Sequence, residues 1–392
     1  MISKLSNLIL LLCIGSFISL LLAKRYLNAY FMFPSFQSDG KSILAHINNY
    51  DVTDYPPLPM DIQNETLCEG QPPFSNFSRD SILVSRETTR DHHVNAAIVF
   101  LIEFLDRPLA ENHREMMRFN QSLWSLYENF SKDYPSYPIL IFHESPFTPK
   151  YQKHYRNMWP SQLDITFYLI EFDLPPSFPR HPPHELGLTS TNRRAFPGYN
   201  HMIHFFFKDI FDHPAIRDLD YYWRLDHDSE ILSPVSVDLF EYMRRHRLLY
   251  GYRTVVTDAR HVTHGLLSFF DRWRRDPSHQ SIIPDLTCAA LSQKNCLSIP
   301  STLAERNAIQ PLMYYNNFEI VHIPTWRSEP MRQLTDAVHD TNMIYWDRWG
   351  DAPLRYYAVQ TMLDVKSQTM EWCHIRYRHH KTFEPLCRLT IM

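Results

Sequence analysis

An α/β fold, with a mixed, mainly parallel central sheet flanked by helices, is predicted for this chain by three observations. Short apolar runs of the buried-strand kind alternate with a longer stretch of helical period between about residues 94 and 170. A further run, Tyr221-Tyr222-Trp223-Arg224-Leu225, stops at Asp226-His227-Asp228, as a strand does when it crosses a core and ends at its edge. Roughly 300 residues lie beyond the N-terminal segments, enough for one large domain.

The elements follow in order. Residues 96–102 are apolar without a break and read as the first strand of the compact domain. Met116, Met117, Phe119, Leu123, Trp124 and Tyr127 recur at helical spacing and predict a helix over 109–129. Strands are expected at 137–142 and 163–170, and strand, helix, strand in this order favours parallel pairing. The Pro- and Arg-rich stretch 175–197 reads as a loop, 199–211 as a helix, and 221–225 as the next strand. A helix over 237–245, a strand over 248–256 and an irregular segment over 277–301 complete the reading.

Residues 5–23 carry no charge and lie between Lys4 and Lys24-Arg25. Their length approaches the roughly 20 residues that cross a bilayer, so 1–25 is expected to be a cytoplasmic tip and an uncleaved signal anchor. A cleaved signal peptide is the alternative. Residues 26–92 are rich in Asn, Ser, Asp and Pro and read as a stem, leaving 93–392 as the compact domain. Four N-x-S/T sequons, at Asn64, Asn76, Asn120 and Asn129, favour a lumenal chain. Cys68, Cys288, Cys296, Cys373 and Cys387 would then face an oxidising compartment, and the close pairs 288/296 and 373/387 are the natural disulfide candidates. A net charge of -4 gives no electrostatic footprint for nucleic acid.

Three constellations can carry chemistry. Asp226 and Asp228, spaced i, i+2 at a strand end, can hold a hard divalent cation and, through it, a diphosphate. Oxygen ligands of this kind suit Mn²⁺ or Mg²⁺. Glu319, set in Tyr314-Tyr315-Asn316-Asn317-Phe318-Glu319-Ile320, is a candidate buried carboxylate with an environment-tuned pKa. Asp351, in Arg348-Trp349-Gly350-Asp351-Ala352-Pro353, is a candidate site carboxylate; capping a helix that begins near Pro353 is the structural alternative, and the two coexist only if one oxygen stays free. Near the C-terminus, His379 and His380 follow a basic aromatic strand, and either can complete a metal shell begun by the aspartates.

Taken together, these segments resemble the Golgi α-1,2-mannosyltransferases best known from fungi. The matching stretches are His143-Glu144-Ser145-Pro146-Phe147-Thr148, Tyr199-Asn200-His201-Met202, His213-Pro214-Ala215 and Tyr221-Tyr222-Trp223-Arg224. Then come Tyr250-Gly251, Asn317-Phe318-Glu319-Ile320, Arg327-Ser328-Glu329, Arg348 to Pro353, and Ile375 with Tyr377 and His379. The similarity runs from about Asn95 to the C-terminus. It implies a type II Golgi membrane protein with a GT-A-like, nucleotide-sugar-binding fold. It also implies use of GDP-mannose and Mn²⁺, a mannosylated glycan acceptor and retention of anomeric configuration.

By the same resemblance, the metal motif falls on Asp226 and Asp228, with His379 as a third ligand. The glutamate proposed as nucleophile falls on Glu319. Tyr199, Arg224 and Asp351 are placed at the donor or acceptor. The chain departs from the family's pattern where Asp226 replaces a glutamate, where Asn200 and His204 replace arginines, and where Phe207-Lys208 replaces a small Ser-Gly pair. A transferase with another nucleotide-sugar donor, and a silent lumenal glycan-binding protein of the same fold, are the alternatives.

Overall fold

The computed structural model describes residues 82–84 and 94–391, except 108, 135–136, 182–184, 189–191, 194–195, 284–298, 301 and 387–388. The expected anchor, nearly all of the stem, the sequons at Asn64 and Asn76, and every cysteine but Cys373 lie outside the described residues. Cys373 is disulfide-bonded. Among the described residues no helix is long and apolar enough to cross a membrane.

Strands run in chain order as β1 (Ile82–Val84), β2 (Ala96–Ile102), β3 (Ile139–His143), β4 (Ile165–Leu169), β5 (Tyr221–Leu225), β6 (Glu230–Ile231) and β7 (Tyr250–Tyr252). They continue as β8 (Val255–Thr257), β9 (Leu312–Tyr314), β10 (Phe318–His322), β11 (Thr369–Glu371), β12 (Tyr377–His379), β13 (Lys381–Phe383) and β14 (Leu389–Ile391). The principal helices are α1 (Leu109–Leu126), α2 (Pro149–Arg156), α3 (Gly198–Phe207), α4 (Leu239–Arg245), α5 (Leu266–Arg275), α6 (Leu303–Ala308), α7 (Ile323–Arg327), α8 (Glu329–Asp340), α9 (Met343–Trp346) and α10 (Asp351–Met362).

The central sheet has seven strands in the order β11-β7-β10-β5-β2-β3-β4. It is mixed because β10 lies antiparallel to both its neighbours, β5 and β7, while the remaining pairings are parallel. Its inner strands β2 and β3 are unbroken apolar runs because both of their faces are buried, whereas the edge strands β4 and β11 are only partly covered. Alternation along β2 sends Ala97 and Val99 to one core and Ala96, Ile98, Phe100 and Ile102 to the other. The second core is closed by α1, through Met116, Phe119, Leu123 and Leu126, and by α4, through Leu239, Phe240 and Met243. The first is closed by α3, α5, α7, α8 and α10.

The expected strand over 248–256 divides in two. β7 belongs to the central sheet, whereas β8 pairs with β9 in a separate hairpin. Arg253, between them, is fully buried and donates Nε to Ile375 O at 2.7 Å and Nη2 to Glu384 O at 2.8 Å. These two carbonyls hold the guanidinium at the point where the chain leaves the sheet. The helix expected over 199–211 stops at Phe207 and gives way to a 3₁₀ turn at Asp209–Asp212.

Two of the four sequons lie on the first long helix. Asn120 is on α1, followed by the fully buried Ser122. Asn129 is in a π-helical continuation, and its Nδ2 donates to Ser125 O at 3.0 Å and Ile231 O at 2.7 Å. That amide tethers α1 to β6 and is not presented to solvent as a glycan acceptor.

Gly251, at the middle of β7, is required by packing. A Cβ there would lie 2.6 Å from Nε1 of the fully buried Trp372. Gly251→Ala is therefore expected to cost about 1–3 kcal/mol through overpacking, read as a lower urea midpoint with an unchanged slope.

Candidate active site

The site is assembled around the end of β5. Leu225 is the last residue of the strand; Ser229 N donates to Asp226 O at 2.9 Å, closing a turn that leaves both aspartates just beyond the carboxyl end of this inner strand. The chain then enters β6, which pairs with β12 so that Tyr377 faces Ile231 and Arg378 faces Glu230. This register delivers His379 to the turn from 150 residues away in sequence, roughly, a distance no local pattern spans.

His379 Nε2 lies 3.1 Å from Asp228 Oδ1 and 3.6 Å from Asp226 Oδ2. Its Nδ1 faces Tyr315 Oη at 2.9 Å and the Asn317 side-chain amide at 2.5 Å, partners that fix the ring and direct Nε2 at the carboxylates. His227, between the two aspartates, turns away to Glu115 Oε2 at 3.4 Å. Burial alone would raise the Asp228 carboxyl, but the His379 hydrogen bond and the charges of His379, His227 and His380 overcome it and hold that carboxyl well below its usual range. Carboxylate oxygens and an imidazole nitrogen converging at one point form a donor set suited to Mn²⁺.

Beneath this cluster lies a buried square of charge. Arg224 on β5 stands directly across from Glu319 on β10, so both side chains share one face of the sheet. Asp351 and Arg355 are one turn apart on α10 and share a face of the helix. Arg224 Nη1 donates to Asp351, and its Nε and Nη2 lie 3.2 and 3.1 Å from Asp226 Oδ1. Arg355 Nε donates to Glu319 Oε2 at 3.1 Å, and both residues are fully buried. Tyr250 donates to Glu319 Oε2 at 3.0 Å and Tyr222 to Oε1 at 3.3 Å. Asn316 Nδ2 donates to Asp351 Oδ2 at 2.8 Å. Burial pushes the Glu319 carboxyl up while Arg355 and Arg224 pull it down. Burial likewise pushes the Tyr222 and Tyr250 hydroxyls well above their usual range, reinforced by the Glu319 charge.

Tyr199, at the start of α3, is 41 % exposed. The Arg348 guanidinium lies 5.0 Å from the centre of its ring. Loss of water around its hydroxyl, with the charge of Asp351, raises the Tyr199 pKa to about 12. Arg348 has a φ of 65°, in the left-handed region. Beside it, a Cβ on Gly350 would come within 3.2 Å of Asp258 Oδ2, so the glycine admits that carboxylate. Burial raises the Asp258 carboxyl, against a hydrogen bond from Ala259 N.

The structure thus brings Asp226, Asp228 and His379 together and sets Asp351 and Glu319 progressively deeper. Two of these side chains are committed to buried partners. Asp351 does not cap α10: Gly350 is the N-cap residue, and the Asp351 carboxylate is committed to Arg224 and Asn316. Arg224 is 2 % exposed and is held between the Asp226 and Asp351 carboxylates under the Phe206 ring at 3.7 Å. The departures on α3 also turn inward. Asn200 Nδ2 donates to Asn192 Oδ1 and Ile344 O, and His204 bridges Asp209 and His339 at 2.6 and 2.7 Å. Arg355, Asp258 and Asn316 were not singled out from sequence. Arg355 was within reach, since it lies four residues after Asp351 on a helix; Asp258 had no local signal.

A family model described as glycolipid 2-alpha-mannosyltransferase matches residues 74–390. An O-glycoside alpha-1,2-mannosyltransferase homolog 5 from Schizosaccharomyces pombe is 25 % identical over 289 residues, which are 66 % of this chain and 65 % of that protein. The chain thus spans just under two thirds of that relative's length. Core-mannan synthase A from Aspergillus fumigatus, in a Mn/GDP form, shares the fold at a TM-score of 0.62 and 18 % identity, covering 79 % of this chain and 81 % of that one. The mannosyltransferase Ktr4p from S. cerevisiae, in complex with GDP, aligns at 0.63 and 20 % identity over 84 % and 86 %. The fold is therefore a GT-A-like α/β fold.

The charge square sets a stability expectation. Arg355→Met leaves Glu319 buried without its cation and should cost about 3–5 kcal/mol in urea denaturation. Adding Glu319→Gln to that variant should return part of the loss, because the uncompensated charge is gone.

Proposed function

Because the chain belongs to the glycolipid 2-alpha-mannosyltransferase family, we propose that it is a retaining α-1,2-mannosyltransferase. It would move mannose from GDP-mannose to a mannosylated glycoprotein or glycolipid acceptor. The observation that carries this reading is the convergence of Asp226, Asp228 and His379 at the carboxyl end of β5, the place where open α/β sheets bind ligands. Those three residues would hold Mn²⁺, which supplies charge neutralisation on the departing diphosphate. Anchorage in the Golgi membrane through residues 5–23, with the catalytic domain lumenal, belongs to the same reading.

In the reaction the bond from the anomeric carbon to the GDP phosphate breaks. A bond to the acceptor oxygen forms on the same face, and the acceptor proton leaves with the phosphate. Tyr199 offers an exposed ring, backed by Arg348, as a stacking wall for the donor. Arg224 keeps Asp226 and Asp351 apart and correctly aimed. Asp351, fixed by Arg224 and Asn316, orients the transferred sugar. Glu319 is assigned as a fixed negative charge that stabilises an oxocarbenium-like state. A covalent bond to it would require Arg355, Tyr222 and Tyr250 all to release a fully buried carboxylate. Same-face attack is the route that leaves this network intact.

The decisive assay combines the purified protein with GDP-mannose, Mn²⁺ and α-methyl mannoside, the product linkage being read by NMR. An α-1,2-linked product with retained configuration is expected. Turnover with a UDP-sugar alone would replace the donor, and absence of Mn²⁺-dependent GDP binding by calorimetry would leave a glycan-binding protein of the same fold. Glu319→Gln keeps the shape but only one of the two oxygens that accept from Tyr222, Tyr250 and Arg355, so its fold is checked by urea denaturation alongside the assay. It is expected to lower kcat by about 10²–10³-fold with GDP affinity retained. Full activity in that variant would remove Glu319 from the mechanism, and a mannosyl adduct trapped on Glu319 would overturn its role as stabiliser.

A further inference from the structure

His380 stands alone between β12 and β13, at the tip of a hairpin in which His379 pairs with Lys381. Its φ of 53° lies in the left-handed region, where glycine or asparagine is the ordinary occupant of so tight a turn. Histidine is tolerated at such a position, and what singles this one out is where the turn places its ring. The turn directs the ring back over the site: the His379 and His380 ring centres are 4.2 Å apart, and His380 Nδ1 lies 3.9 Å from Asp228 Oδ2.

We propose that His380 is a metal ligand, so that this chain's metal seat is built on Asp228, His379 and His380, with Asp226 in a lesser role; the proposal rests on the metal-binding reading above. Ligand atoms of Asp228, His379 and His380 all lie within 4.8 Å of one another. Two atoms that each sit about 2.1 Å from one ion can be no more than about 4.2 Å apart, so a small rotation of an exposed ring closes the set. The His380 side chain is 69 % exposed and has the freedom to make that rotation.

Asp226 is poorly placed by comparison. Arg224 holds its Oδ1 at 3.1 Å, and its Oδ2 is 3.6 Å from His379 Nε2. It is also one methylene shorter than the glutamate of the family's pattern, so it reaches less far into the site and keeps one free oxygen, Oδ2, for the ion. His380 supplies from the hairpin tip an additional ligand that offsets this shorter reach. The consequence is a second nitrogen in the shell. Imidazole favours transition metals, whereas Mg²⁺ prefers oxygen and water, so the exchange biases the site toward Mn²⁺ and against Mg²⁺.

The test uses the full-length protein in detergent, titrated with Mn²⁺ and with Mg²⁺ and read by calorimetry and by pulsed EPR of the bound Mn²⁺. Two imidazole nitrogens coupled to Mn²⁺ are expected, falling to one in His380→Gly, a substitution that also relieves the backbone. Mn²⁺ affinity should fall by at least the ~10-fold that loss of a supporting partner costs a metal site, with Mg²⁺ affinity nearly unchanged. His380→Asp should recover affinity and raise Mg²⁺ relative to Mn²⁺. One nitrogen in the unaltered protein, or an unchanged Mn²⁺/Mg²⁺ ratio in His380→Gly, would overturn the role of His380 while leaving the Asp226, Asp228 and His379 seat intact. Absence of Mn²⁺ binding, or binding unaffected by Asp228→Asn, would instead overturn the metal seat itself.

Discussion

The site depends on a buried square of charge: Arg224 on β5, Glu319 on β10, and Asp351 and Arg355 on α10. Two cations and two carboxylates, all 4 % exposed or less, would be ruinous to bury singly and are tolerable only together. Each pair joins a helix to a strand, so α10 cannot shift against the sheet without stranding a charge. Asp226 hangs from the same Arg224. The position of the outer carboxylates is thereby referred to the core of the protein, and the functional surface inherits the rigidity of its deepest layer.

A second constraint acts from the C-terminal side. The small sheet β13-β12-β6 carries His379 to the aspartate turn, and Tyr377 secures it by hydrogen bonds to Ser229 and Asn317. Asn317 also reaches His379 from the first turn before β10. The metal-type cluster is held by elements that meet nowhere in sequence but all hydrogen-bond to one another. The replacements on α3 fit this frame. Phe206 shields the Arg224 guanidinium, and Asn200 and His204 bind α3 to its helical neighbours, so positions that carry arginines in the family's pattern serve packing here.

Much of the fold was legible in the residues. β2 is apolar without a break and β5 is apolar but for Arg224, both are clearly bounded, and the structure reproduces them as read. The misreadings arose where a buried polar group overrides a local pattern. The break in 248–256 falls at Arg253, whose guanidinium is buried on two carbonyls from the C-terminal segment, and nothing in the apolar periodicity announces that. Asp351 looked like a cap because Gly and Pro flank it, yet an arginine from another strand claims the carboxylate. Asn129 looked like a glycan acceptor because a tripeptide cannot show that its amide already spans two carbonyls.

By itself, the sequence determined the strand that ends in Asp226-His227-Asp228, the apolar runs that make a sheet buried on both faces, and the residue types able to bind a divalent ion. Those properties are local: periodicity, termination and donor chemistry are written within a few residues. Only the tertiary structure decided that Arg224 faces inward, that Glu319 is sealed by Arg355, and that the hairpin carrying His379 and His380 folds over the aspartates. Each of these depends on which distant group satisfies a buried charge, and that balance exists only once the chain has closed on itself.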